Sequence, residues 1–220
     1  MNLETLKKLR LLIPGIIIVI YGLIYISIIT KKEFSGFEFK EYTIPTVIAV
    51  IIGVLYEMFE VRYLVTNYSH KKIDLNIKNH ICRLFTQPLT DIQRQFLFKK
   101  NRLKSIFYHV VDNDESLKQK SKNIYFNGII WTSTADLSII SIFISVLILI
   151  SMTMFEGSIK NNLLMFGLTT IMVGLISLGL HALAFLKHIK LSNEQIEFIE
   201  THHINLVNTK ITETLTKLDE

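Results

Sequence analysis

Residues 128–154 read GIIWTSTADLSIISIFISVLILISMTM. Asp136 is the only charged residue in this stretch. A bilayer hydrocarbon core of about 30 Å needs about 20 helical residues. The stretch exceeds that length, and helices of soluble cores are rarely so long or so evenly apolar. It reads as a transmembrane helix. Three further stretches meet the same criterion, at 11–30, 44–65 and 163–186. Pro14 and Gly15 interrupt the first only near its start. Thr43 is the expected N-cap of the second, with Pro45 in the tolerated first turn.

The fold expected from these spans is an all-α integral membrane protein. Its four transmembrane helices form two hairpins, accompanied by a cytoplasmic helical hairpin and a C-terminal helix. The expected divisions are 1–66 for the N-terminal segment and first hairpin, 67–126 for a basic helical region, 127–186 for the second hairpin, and 187–220 for the tail.

Composition agrees with a membrane class. Half of the 220 residues are hydrophobic and 20% are charged, and the charges cluster between the apolar stretches. Mean hydropathy is +0.38. Cys82 is the only cysteine, so neither an intramolecular disulfide nor a thiolate zinc cluster within one chain can form. The sequence pI of 9.2 reads here as an orientation signal rather than as nucleic-acid binding.

Lys7, Lys8 and Arg10 precede the first span as in a secretory signal. The apolar run is too long for one, and the run from Ile28 to Lys32 has no small-residue cleavage site, so the segment reads as a retained anchor. Of the 24 Lys and Arg residues, 20 fall on one side of the four spans and 4 on the other. The positive-inside rule then places both termini and the 67–126 loop in the cytoplasm of a cell whose inner (plasma) membrane holds the protein. Tyr63, Tyr68, Tyr125 and Trp131 fall at the inner boundary, where an aromatic belt is expected.

Within the loop, Ile73, Ile77, Ile81 and Leu84 mark one helical stripe over 71–87. Ile92, Phe96, Leu103, Phe107 and Val110 mark another over 89–111. Arg94, Lys99, Lys100, Arg102 and Lys104 form a basic surface interleaved with phenylalanines. Two readings of that surface stand: attraction to anionic lipid headgroups, and a site for a cytoplasmic protein partner or an anionic nucleotide-type ligand. No glycine-rich phosphate loop is present. The tail is expected to be helical from Ser192, which caps it with Gln195 three residues on. Ile204, Val207, Ile211 and Leu218 form a short apolar seam that suits either a subunit contact or packing on the 71–111 helices.

Charges inside a bilayer are costly and mark candidate sites. If the second span stopped before Glu57, the apolar run from Ile44 would be too short to cross. Glu57 is therefore expected within the bilayer, with Glu60 one turn further in. Asp136 and His181 would lie at similar depth, forming a carboxylate–histidine cluster able to bind a cation or relay a proton, or a satisfied polar patch. Thr134, Ser138, Ser141 and Ser145 form a polar stripe on the third span. It suits either close helix packing or a pore wall in a homo-oligomer. Gly167 and Gly174 favour close helix approach.

No catalytic Ser/His/Asp set, HExxH or DxxD pair is present, and no cofactor motif, so no enzyme is expected. Neither His202 with His203 nor His80 with Cys82 completes a metal-ligand set. The leading functional expectation is an oligomeric channel or pore-like protein controlled through its cytoplasmic helices. Its layout suits a membrane effector of stress or phage defence, although no residue motif carries that comparison. The alternative is a membrane-anchored sensor or docking platform that recruits a cytoplasmic protein without conducting ions.

Overall fold

The computed structural model describes residues 3–32 and 39–218, so residues 33–38 of the expected outer loop at 31–43 lie outside the described residues. Among these residues the regular structure is entirely helical. The α-helices are α1 (Leu3–Thr30), α2 (Phe39–Met58), α3 (Tyr63–Arg83), α4 (Asp91–Phe98), α5 (Arg102–Asp112), α6 (Glu115–Ser151), α7 (Gly157–His202) and α8 (Ile204–Thr216). Three helices are long and apolar enough to cross a membrane: the Arg10–Thr30 part of α1, α6 with the turn that follows it (Glu115–Met154), and α7. The chain divides into two compact units, residues 1–66 with 128–184, and residues 67–127 with 185–220.

The second apolar stretch departs from expectation at both ends. α2 begins at Phe39, so Thr43 lies inside the helix instead of capping it. It ends at Met58, not near Val65. The C-terminus closes with two backbone bonds, Val61 N–H to the Tyr56 carbonyl at 3.2 Å and Glu60 N–H to the Glu57 carbonyl at 3.1 Å. Glu60 between them has φ +51°. This is the Schellman arrangement, which satisfies the last carbonyls by placing one residue in the left-handed region. Glu60 therefore sits in a turn and not on a helix face.

In the first unit, α1 and α2 touch backbone to backbone. A Cβ added to Gly15 would fall on the Ala49 carbonyl oxygen, and one on Gly53 would lie 2.6 Å from the Leu11 oxygen. α6 and α7 meet through Gly174, whose added Cβ would lie 2.9 Å from Ile142 Cγ1, and Gly167, 2.8 Å from Leu149 Cδ2. Small residues at such crossings let helices approach closely. Away from these seams the helices turn large apolar residues outward. In the apolar windows of α1, α6 and α7, only 17%, 28% and 28% of residues are buried. An apolar surface of that extent requires a nonaqueous surrounding.

The second unit has its own apolar core. Ile73, Ile77, Ile81 and Leu84 of α3 and its C-terminus are buried, as their spacing predicts. Leu103, Phe107 and Val110 are buried likewise, whereas Ile92 is 71% exposed. The expected 89–111 helix is two helices, because Lys100 and Asn101 both have left-handed φ values. α6 starts at Glu115, where Asp114 Oδ1 accepts from the Leu117 N–H at 2.8 Å, so residues 115–127 and the third apolar stretch are one helix. α7 runs unbroken through Ser192. That hydroxyl donates to the His188 carbonyl and caps nothing. Gln195 instead donates to the Leu117 carbonyl and Ser121 Oγ. Val207 and Ile211 of α8 are fully buried, and α8 packs on α4 and α5.

Candidate functional site

The polar centre of the first unit is Arg62, a residue that lies within the stretch 44–65 expected to form the second span. It lies in the turn after α2, and its side chain is 3% exposed. Nε donates to Asp136 Oδ1 at 2.9 Å, and Nη2 donates to Oδ2 at 2.8 Å. Nη1 donates to Glu57 Oε2 at 2.8 Å, and Nη2 also reaches the Arg10 carbonyl at 3.1 Å. One guanidinium therefore ties together α1, the end of α2, and α6. Its planar fork suits the task, because it meets a carboxylate through two parallel bonds and cannot be deprotonated.

The two acids it holds differ in setting. The Asp136 side chain is 1% exposed, while that of Glu57 is 49% exposed. This reverses the order expected from span length. α2 stops one residue after Glu57, so the argument that forced Glu57 deep does not apply. Asp136 is the enclosed acid, and a buried carboxylate requires a paired cation.

The expected cluster of Glu57, Asp136 and His181 does not assemble. His181 Nδ1 donates to the Trp131 carbonyl at 2.9 Å, and the two rings stack with centroids 6.0 Å apart. Trp131 is thus buried rather than placed in an exposed belt, unlike Tyr63, Tyr68 and Tyr125. Arg62 takes the position a cation would need between the acids. Among the described residues no group of His, Cys, Asp and Glu is arranged to hold a metal ion.

The hydroxyl stripe is also internal. Ser138, Ser141 and Ser145 are buried. Ser141 Oγ and the Tyr21 hydroxyl hydrogen-bond at 2.6 Å, and Ser145 Oγ donates to the Ile142 carbonyl at 2.7 Å. Ser138 and Ser141 form the wall that Gly174 of α7 approaches. Thr134, half-buried, donates back to the Ile130 and Trp131 carbonyls. Ser138 and Ser141 therefore line the seam between α6 and α7.

In the second unit the five basic candidates separate into two groups. Arg102 is committed inward. Its Nη1 donates to the Phe96 carbonyl at 2.6 Å, and the guanidinium lies 3.6 Å from the Phe96 ring centroid. Lys104 pairs with Asp74 at 2.7 Å, and Lys78 pairs with the same carboxylate at 2.6 Å. Burial pushes the Asp74 carboxyl up, but the hydrogen bonds from Lys104 and Lys78 outweigh it and leave its pKa lowered. Arg94, Lys99 and Lys100 are exposed. Arg94 lies 5.8 Å over Phe98. Thr90 begins α4 with a capping box to Gln93, and the left-handed Lys100–Asn101 pair ends the turn. Local backbone chemistry thus leaves Arg94 and Ile92 exposed along α4, and Lys99 and Lys100 exposed in the turn that joins it to α5.

Arg62 had a sequence signal that went unused. The residue lies within the stretch read as a span, five positions after Glu57, and intramembrane charges occur in pairs. Arg10 had none, because its contribution is a backbone carbonyl. Compared with known proteins, the chain matches no family, no curated protein and no solved structure.

Proposed function

We propose that this protein is a membrane-anchored docking platform that recruits an acidic cytoplasmic partner through the α4–α5 hairpin. In this reading α1, α2 and the apolar parts of α6 and α7 cross the inner membrane as two hairpins. α2 is 20 residues long, and at 1.5 Å per residue that is about 30 Å, the thickness of the hydrocarbon core. The 20-to-4 division of Lys and Arg puts both termini and the basic hairpin in the cytoplasm.

The observation that carries the reading is the contrast between the two sets of polar groups. Those of the apolar helices are used inside the chain: Arg62 is held by Glu57 and Asp136, and Ser141 by Tyr21. Their outward faces carry Ile142, Phe143, Val146 and Leu147 on α6, and Met165, Leu168, Met172 and Ile176 on α7. Subunits assembled through such faces would enclose no polar path. Arg94, Lys99 and Lys100, by contrast, are presented outward with an exposed isoleucine, a combination of apolar contact and charge complementarity suited to a protein surface.

Ion flux separates this reading from a channel. Proteoliposomes carrying the protein should leak no faster than protein-free vesicles. A conductance that changes in Ser141→Ala or Glu57→Gln would return those residues to a pore and overturn the platform.

A further inference from the structure

A shallow depression of about 310 Å³ opens on α4, lined by Asp91, Arg94, Gln95 and Phe98. These positions are spaced i, i+3, i+4 and i+7, which places them on one face of the helix. Asp91, Arg94 and Gln95 are exposed. Phe98 is half-buried, with the Arg94 guanidinium 5.8 Å from the centre of its ring. The volume is at the lower end of the range for small-ligand sites, about 300–1,000 Å³, and suits one large side chain of a partner.

Charge changes sign along this face. Asp91 begins α4, and Phe98 ends it about 10 Å away at 1.5 Å per residue. Arg94 lies between them, and Lys99 and Lys100 follow in the turn. None of the ion pairs among the described residues uses Asp91, Arg94, Lys99 or Lys100. Both signs are therefore available to a partner. A ligand carrying only negative charge, such as a phosphate or an anionic headgroup, would meet repulsion at Asp91. A half-buried ring between charges of both signs instead matches the anchor of a protein interface. There one bulky side chain fills a pocket, and the polar groups around it fix its orientation.

We propose that the docking partner contributes a bipolar segment to this face: a large apolar side chain seats in the depression beside Phe98, a carboxylate faces Arg94, Lys99 and Lys100, and a lysine, arginine or amide donor faces Asp91. The inference rests on the docking reading and adds a direction to it. The segment is not uniformly acidic; it runs from donor to carboxylate along α4.

The test joins photo-crosslinking to a charge reversal, in the full-length protein and its native membranes. A benzophenone-bearing residue replaces Ile92, which is 71% exposed and next to Asp91. It should capture one soluble protein, at a segment that holds Asp or Glu, a large apolar residue, and Lys, Arg, Asn or Gln. Asp91→Lys should lower the yield of that cross-link at least about tenfold, as loss of an interface anchor does, even though it adds positive charge to the hairpin. Gln95→Trp should lower it as far, by filling the depression from an exposed position without removing a packed side chain. Unchanged or increased capture in Asp91→Lys, or wild-type capture in Gln95→Trp, overturns the inference; the docking reading then stands if the triple variant Arg94→Glu, Lys99→Glu, Lys100→Glu loses capture. Capture that survives the triple variant overturns both. So does a cross-link to lipid, to a nucleotide, to a second copy of the chain or to a segment without an acidic residue, or no protein cross-link at all.

Discussion

Arg62 and Asp136 are 74 residues apart in the chain and share a doubly hydrogen-bonded, buried ion pair, with Nη2 to Oδ2 at 2.8 Å. Removing one partner of such a pair leaves an uncompensated charge in a poorly solvated site. Asp136→Asn should therefore cost about 3–5 kcal/mol of stability. Glu57 bonds the same guanidinium from a half-exposed position. Glu57→Gln should cost no more than about 1 kcal/mol. Thermal unfolding in detergent measures both, and equal losses would contradict the asymmetry.

The α1–α2 crossing predicts a second contrast. Gly15→Ala forces a methyl group onto the Ala49 carbonyl, whereas Gly22→Ala on the same helix meets nothing within 4 Å. Overpacking of a close seam costs about 1–3 kcal/mol. Gly15→Ala should lower the melting temperature, and Gly22→Ala should leave it unchanged.

Glu60 ends α2 at φ +51°. A left-handed non-glycine residue costs about 1–2 kcal/mol, while glycine gains about 0.4–1 kcal/mol of extra freedom in the unfolded chain. Glu60→Gly should therefore stabilise the protein by about 0.5–1 kcal/mol. A loss of stability would mean that the Glu60 side chain holds the turn.

Much of the architecture was legible because it follows from length and period. A run such as 128–154 has few alternatives, and Ile73, Ile77, Ile81 and Leu84 keep strict helical spacing. The misreadings share a different cause. Chain direction at 59–62 and 99–101 is set by left-handed residues, Glu60, Lys100 and Asn101, of which only Asn101 is a residue that favours turns. The site was half legible. Intramembrane acids are rare enough to draw attention to Glu57 and Asp136. Which one is enclosed depends on where α2 ends, and that depends on Glu60. The serine stripe shows a periodicity common to packing seams and pore walls, and only the position of Gly174 distinguishes them.

Acid should loosen the second unit through two carboxylates. The backbone N–H of Leu117 and the His203 side chain hold the Asp114 carboxyl below its ordinary value of 3.8. Asp74 is lowered from the same value because the hydrogen bonds from Lys104 and Lys78 outweigh the upward effect of burial. Carboxyls depressed in the folded state contribute stability that is fully present above the unfolded value and is lost as pH falls through the folded one. Helical signal should thus hold down to about pH 4 and decline below it. Asp74→Asn and Asp114→Asn should each flatten that decline; an unchanged acid limb in both would remove these pairs as its cause.

The docking role depends on exposed side chains, of which Arg94 lies over the Phe98 ring. Arg94, Lys99 and Lys100 are exposed, so reversing all three should leave folding intact. Arg102 and Lys104 are built into the hairpin. The most direct measurement is co-purification of soluble protein with the full-length chain from its native membranes, comparing wild type with the triple variant Arg94→Glu, Lys99→Glu, Lys100→Glu at equal melting temperature. The account predicts a stoichiometric acidic partner that is present with the wild type, absent with the variant, and released by salt. Equal recovery with both proteins, or no stoichiometric partner with either, would contradict it.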